Sequence, residues 1–337
     1  MSAAGGPSQP PGSSGPPGSS GPPGSPAAIA PRAMAVAGSF YPAGAGALAA
    51  TVDEMLGAAR VAYPPPLGLS SSGLVGVLVP HAGLVYSGIV AAAGWRALLP
   101  APASSGAVPA PTGGAPVSSG DAPTVVLLGT NHSAGWLDGV GAWDGGPWRT
   151  PLGELAVDRN LTDAVLALGA PFDADARCHQ GEHSLEVQLP FVRRLAPGAR
   201  IVPLSVGTGT GGRAIEAGER LGRLLAWRRA AGERILLAIS SDLAHYPAAG
   251  VAARVTAMLL PSIVGLEPAE LARVEAAARR EPGVSCGMCG IEPTVLGLAA
   301  LRAMGAASGV PLAAATSADA GGDPRRTVGY LAVAFGA

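Results

Sequence analysis

The chain has 337 residues, 48% of them hydrophobic, and a formal net charge of −1. That supports one large core or two small ones, and a near-neutral chain with no clustered basic face, in which Arg228-Arg229, Arg279-Arg280 and Arg325-Arg326 are isolated pairs, does not look like a nucleic-acid binder. Cys178, Cys286 and Cys289 are too few for a disulfide framework and fit a reducing compartment. With no basic-then-apolar leader and no run long enough to span a bilayer, the chain reads as soluble and cytoplasmic, with no membrane partner.

Residues 1–31 are almost entirely Pro, Gly, Ser and Ala. Gly12, Gly15, Gly18, Gly21 and Gly24 keep a collagen-like register, but so short a repeat cannot hold a triple helix, so the stretch is expected to be a disordered tail before a domain over 32–337. A helix is expected over 45–60, where Leu48, Val52, Met55 and Leu56 share one face. Residues 74–79 are a nearly continuous apolar run, the pattern of a strand covered on both faces. Pro80 ends that strand and leaves His81 just beyond its carboxyl end. A helix over 88–99, capped by Ser87, should follow, and then a low-complexity surface insertion over 100–123.

The same design recurs twice. The run from Thr124 places His132 past a second strand, and the run from Ile235 brings Asp242 and His245 past a third. Between them lie a short strand over 139–143, a turn over 150–153, a helix over 159–168 capped by Asp158, and a helix from Ser184 in which Pro190 would make a kink. A strand over 201–206 and a helix over 213–230 lead to the third site-bearing strand, over 235–239. Helices over 250–260 and 268–280, an apolar helix ending near Met304, and neighbouring strands over 310–316 and 328–335 complete the chain. Strands alternating with helices specify one α/β domain of three layers, a mostly parallel or mixed central sheet with helices on both faces.

Three buried strands that each deliver an imidazole to one rim point to a metal site, since imidazole is the commonest protein metal ligand. Two histidines and one anionic ligand would leave positions open for a small molecule. The anionic candidates are Asp242, Glu182, Glu186 and a cysteine thiolate. The Cys286/Cys289 pair lacks the surroundings of a redox motif or of a second zinc pair, which leaves one thiolate completing the site or two small packing residues. Asp242 could fix the tautomer of His245 as a general base, or cap a turn. His183 and Glu186 stand one turn apart and either face the same pocket or begin a plain helix.

The motifs Ala37-Gly-Ser-Phe-Tyr-Pro42, Pro80-His-Ala-Gly-Leu-Val-Tyr-Ser-Gly88, Gly129-Thr-Asn-His-Ser133, Glu182-His-Ser-Leu-Glu-Val-Gln-Leu-Pro-Phe191, Ser240-Ser-Asp-Leu-Ala-His-Tyr246, Cys289-Gly-Ile-Glu-Pro293 and Val328-Gly-Tyr330 occur in that order. Together they resemble the Memo family, whose bacterial members are also called AmmeMemoRadiSam system protein B. The resemblance implies a fold similar to class III extradiol ring-cleaving dioxygenases, which use non-haem iron(II). It implies His81, His132 and Cys289 as metal ligands and His245, with Asp242 beside it, as the acid/base pair. His183, Glu186 and Tyr86 would line the pocket. Those dioxygenases carry a carboxylate where Cys289 stands, and the softer thiolate favours copper or zinc more than a carboxylate would. The expectation is an iron(II)- or copper-dependent redox protein, with zinc as a further possibility. Two alternatives follow from the resemblance: a peptide- or phosphopeptide-binding module, and an accessory subunit of a radical-SAM partner.

Overall fold

The computed structural model describes residues 30–67, 69–100 and 122–336. The expected tail lies almost wholly outside these residues, as does most of the expected insertion. Helix α1 (Ala45–Ala62) precedes β1 (Leu74–Val79), α2 (Leu84–Leu98) and β2 (Thr124–Thr130). Then come β3 (Val140–Ala142), the hairpin β4 (Trp148–Thr150) and β5 (Gly153–Val157), α3 (Arg159–Leu166), β6 (Phe172–Ala174) and α4 (Leu189–Leu195). The remainder is β7 (Arg200–Val206), α5 (Ala214–Ala230), β8 (Ile235–Ser240), α6 (Ala249–Val264), α7 (Pro268–Ala278), α8 (Ile291–Ala303), β9 (Ser308–Thr316) and β10 (Gly329–Gly336).

All ten strands join one mixed sheet whose main path runs β4-β5-β7-β2-β8-β1-β10-β9. Its centre, β7-β2-β8-β1, is parallel, and β10 and β9 extend it antiparallel. The apolar runs are buried on both faces, as the sequence implied. Along β1, Val75 and Leu78 face one core while Leu74, Val77 and Val79 face the other, and β2 and β8 divide the same way. Helices α1 and α2 cover the second face; α5, α6, α7 and α8 cover the first. Helix α5 approaches α8 closely through Gly218 and Gly222, where a Cβ would meet the carbonyl oxygens of Leu296 and Ala300.

Some elements differ from their expected form. Helix α2 begins at Leu84, four residues early, because Gly83 takes the cap position; Ser87 lies inside the helix and donates to the Ala82 carbonyl at 2.9 Å. The expected helix from Ser184 is a turn, then a 3-10 segment (Glu186–Gln188), and only then α4. Pro190 sits in the first turn of α4, where a backbone N–H has no helical partner, so it starts the helix and causes no kink. Strands β4, β5 and β6 are short pieces on the β7 side of the sheet, without an apolar run to announce them.

Register explains the rim. Val79 pairs with Ser240 across β1 and β8, and Ser240 with Gly129 across β8 and β2. Three neighbouring parallel strands therefore finish at one level, with His81, Asp242 and His132 two or three residues further on.

Candidate metal centre

Each of these ends is held by its own hydrogen bonds. Asp242 turns back across the strand ends, and its Oδ1 accepts from the backbone N–H of His81 at 2.7 Å and of Ala82 at 3.2 Å. Beyond β2, Asn131 fixes the loop: its Oδ1 accepts from the N–H of Ser133 and Ala134, and its Nδ2 donates to the Cys178 carbonyl and Ser205 Oγ. Cys289 enters just before α8, where its N–H donates to the Asp242 carbonyl at 3.3 Å and the N–H of Gly290 donates to Ser241 Oγ at 2.9 Å.

His81, His132 and Cys289 meet as their motif positions implied, each offering a ligand atom within 4.8 Å of the other two. His81 is 1% exposed; its Nδ1 lies 3.0 Å from Ser240 Oγ and its Nε2 3.2 Å from Cys289 Sγ. The Nδ1 of His132 lies 2.9 Å from Glu182 Oε1, which leaves its Nε2 for a ligand. A tetrahedral ion with bonds of about 2.3 Å to sulfur and about 2.1 Å to nitrogen separates those two atoms by about 3.6 Å. The 3.2 Å between Sγ and Nε2 is a few tenths of an ångström short of that, so a small side-chain rotation admits an ion.

Glu182 is the residue whose role sequence spacing left open. It lies at the core of the loop before α4 and accepts from the N–H and Nδ1 of His132 and from the N–H of His183 and Ser184. Burial would raise its carboxyl, but the hydrogen bond and charge of His132, together with the backbone N–H groups, outweigh burial and hold it well below the usual carboxylate range. His183 stacks on His132 with ring centroids 4.5 Å apart, and His132, Glu182 and His183 form a second candidate donor group. Arg32 locks this loop from below, donating to the carbonyls of His179 at 2.9 Å and Glu182 at 2.6 Å and pairing with Glu186.

Asp242, His245 and Cys289 form a third donor group that shares the thiol with the first. Burial pushes the His245 imidazole down to about 4, helped by the charge of His132, so the ring is neutral near pH 7. Its Nε2 is buried and has no partner among the described residues. Burial raises the Asp242 carboxyl to about 6 against the pull of its two backbone donors. Burial, and then the Asp242 charge, push the Cys289 thiol well up, so a thiolate there needs a cation beside it.

The remaining expected residues lie further out. Glu186 is fully buried and accepts from Arg32, the N–H groups of Ala35 and Val36, and the Tyr41 hydroxyl, so its carboxylate anchors the first residues of the domain. Tyr86 is 47% exposed on the first turn of α2. Cys286 is half-buried, and its carbonyl accepts from the N–H of His245 at 3.0 Å.

A family model described as Memo-like protein matches residues 32–334. The chain belongs to the Memo family. It is 32% identical over 308 residues to a MEMO1 family protein of Methanopyrus kandleri, covering 90% of this chain and 98% of the relative. A MEMO1 family protein of Ignicoccus hospitalis is 34% identical over 316 residues, with 90% and 98% covered. One of Methanocaldococcus jannaschii is 31% identical over 307 residues, with 88% and 96% covered. The Memo match starts at the residue that locks the Glu182 loop and takes in every donor of the rim. No helix among the described residues is long and apolar enough to cross a membrane.

Proposed function

We propose that this Memo protein is a metal-dependent oxidoreductase acting on a small molecule, with iron(II) or copper bound by His81, His132 and Cys289. The observation that carries the reading is the convergence of two imidazoles and one half-buried thiol, from three separate chain segments, onto one point. When bound, such an ion would supply a redox-active Lewis acid with positions left open for substrate. Sulfur with two ring nitrogens suits copper, zinc or iron, and the redox reading selects iron or copper.

The chain's own residues do the rest. His245 is neutral, shares a donor group with the thiol and has an unpartnered Nε2, so it can take a proton from a bound molecule at that atom and return it. Asp242 fixes the turn that carries His81 while its burial keeps a proton within reach near neutral pH. Metal analysis after anaerobic purification tests the reading, with His81→Ala and Cys289→Ala beside the wild type. Near-stoichiometric iron or copper in the wild type and little in either variant is expected; unchanged metal in both overturns it. Phosphotyrosine-peptide binding that survives chelation, with no oxygen uptake on any catechol, would make the rim a binding surface instead.

A further inference from the structure

A buried chain of polar groups runs behind His81, and its hydrogen positions can be assigned from one end to the other. The indole N–H of Trp95 can only donate, and it lies 2.8 Å from Gln188 Oε1. The Gln188 amide is thereby oriented with Nε2 on the far side, 2.9 Å from both the Pro80 carbonyl and Ser240 Oγ. A flipped amide would set its oxygen against the Pro80 carbonyl and its NH2 against the indole N–H. Ser240 has one hydroxyl hydrogen, and Oγ sits 2.6 Å from the Ser184 carbonyl, which has none to give. That hydrogen is committed to Ser184. Ser240 Oγ is left with lone pairs for Gln188 and for His81 Nδ1, 3.0 Å away.

We infer that Ser240, oriented by Gln188 and Trp95, is a positioning residue that fixes His81 as the Nδ1–H tautomer and presents its Nε2 lone pair to the metal. Every member of the chain is buried: Trp95, Gln188 and Ser240 are at most 1% exposed. Water therefore does not compete for the Nδ1 proton, and the alternative tautomer would set a bare Nδ1 against an oxygen lone pair. The same assignment explains the 3.2 Å approach of Cys289 Sγ to Nε2, with the thiol hydrogen donated to the ring lone pair. Binding of an ion between sulfur and nitrogen replaces that proton, so the ring needs no tautomer change to become a ligand. This tautomer was not legible in the motif, where nothing sets Ser240 against His81.

The inference rests on the metal reading for its purpose but not for its test. Ring-nitrogen NMR of the 15N-labelled, metal-free protein reads the His81 tautomer directly, assigned by loss of its signals in His81→Gln. A protonated Nδ1 and a bare Nε2 are expected in the wild type. Ser240→Ala should mix or invert the tautomers and weaken iron(II) or copper binding about 10- to 100-fold, the usual cost of an outer-shell change. Ser240→Thr, which keeps the hydroxyl on a strand position that suits a β-branched residue, should restore both. An Nε2–H ring in the wild type overturns the inference, as does a Ser240→Ala protein with unaltered tautomer and affinity. If Ser240→Ala does not fold, the wild-type spectrum alone decides. A wild type that shows the Nδ1–H tautomer yet takes up no metal defeats the functional proposal and leaves this one standing.

Discussion

Replacing Glu182 separates the metal reading from a purely structural one, because the carboxylate is tied to His132 twice. Glu182 is 2% exposed, and its oxygens serve four N–H donors: the His132 main chain and ring, His183 and Ser184. In Glu182→Gln, one oxygen becomes a donor. Placed at the Oε2 position it opposes the His132 N–H; placed at Oε1 it opposes three N–H groups at once. The first orientation wins, costing one charge-assisted bond and burying an unpaired donor, for about 2–4 kcal/mol of stability. It keeps a neutral acceptor on His132 Nδ1, so metal binding should weaken by about tenfold, the lower end of outer-shell effects. Glu182→Ala removes the acceptor altogether and should weaken metal binding toward about 100-fold. Chelator-competition titration reads the affinities, and urea unfolding of the metal-free proteins reads the stabilities. A Glu182→Ala protein that folds and binds metal as tightly as wild type would refute the reasoning, since His132 would then need no carboxylate to be a ligand.

Other outcomes follow from the same contacts. Burial depresses the imidazoles of His179 to about 3 and of His183 and His245 to about 4. The unfolded chain takes up these protons below its ordinary value near 6.5 and the folded chain does not, so stability present above pH 6.5 falls as pH drops toward 4. The slope is up to about 1.4 kcal/mol per pH unit for each histidine; urea midpoints that stay flat between pH 7 and pH 4.5 would contradict it. Arg32→Ala leaves the Glu186 carboxylate buried without its cation and should cost about 3–5 kcal/mol, read by thermal unfolding, with faster proteolysis at the first residues of the domain. Gly218→Val drives a side chain into the Leu296 carbonyl and should cost about 1–3 kcal/mol by separating α5 from α8. Metal content per folded molecule should be unchanged in Gly218→Val, which lies away from the rim.

Strand ends carried most of what the sequence disclosed. Continuous apolar runs identify β1, β2 and β8, and the residue just past each run is where an α/β sheet places its chemistry, so His81, His132, Asp242 and His245 could be named from pattern. Pattern does not give the lateral order of strands. That β8 lies between β1 and β2 is what sets Ser240 behind His81, and no local spacing encodes it. Glu182 and Glu186 looked equivalent as carboxylates on either side of a helix start. They differ because the segment is a turn and a 3-10 stretch, which aims Glu182 at His132 and Glu186 at Arg32 and Tyr41. Of the hairpin β4–β5 only the turn over 150–153 was expected, because its strands are too short and too polar for alternation to register.

The two ligand histidines are backed by different chemistry, and this bears on how the centre would work. His81 donates its Nδ1 proton to a neutral hydroxyl inside the protein, whereas His132 faces an ionised carboxylate at the rim. A carboxylate partner makes an imidazole the stronger electron donor and lets it hold extra positive charge. His132 is therefore the ring suited to compensate a change in charge at the ion, while His81, shielded by Trp95 and Gln188, is suited to hold its geometry constant. Cys289 joins them with a thiol that burial keeps protonated until a cation arrives, so metal uptake must release a proton. The acceptor expected for that proton is His245, which shares a donor group with the sulfur and whose Nε2 has no partner among the described residues. Substitution of His245 should accordingly slow metal uptake while leaving the final affinity little changed, whereas substitution of Ser240 should lower the affinity itself. Stopped-flow uptake kinetics beside equilibrium titration would separate the two, and a His245→Ala protein that loads at the wild-type rate would assign the proton another exit.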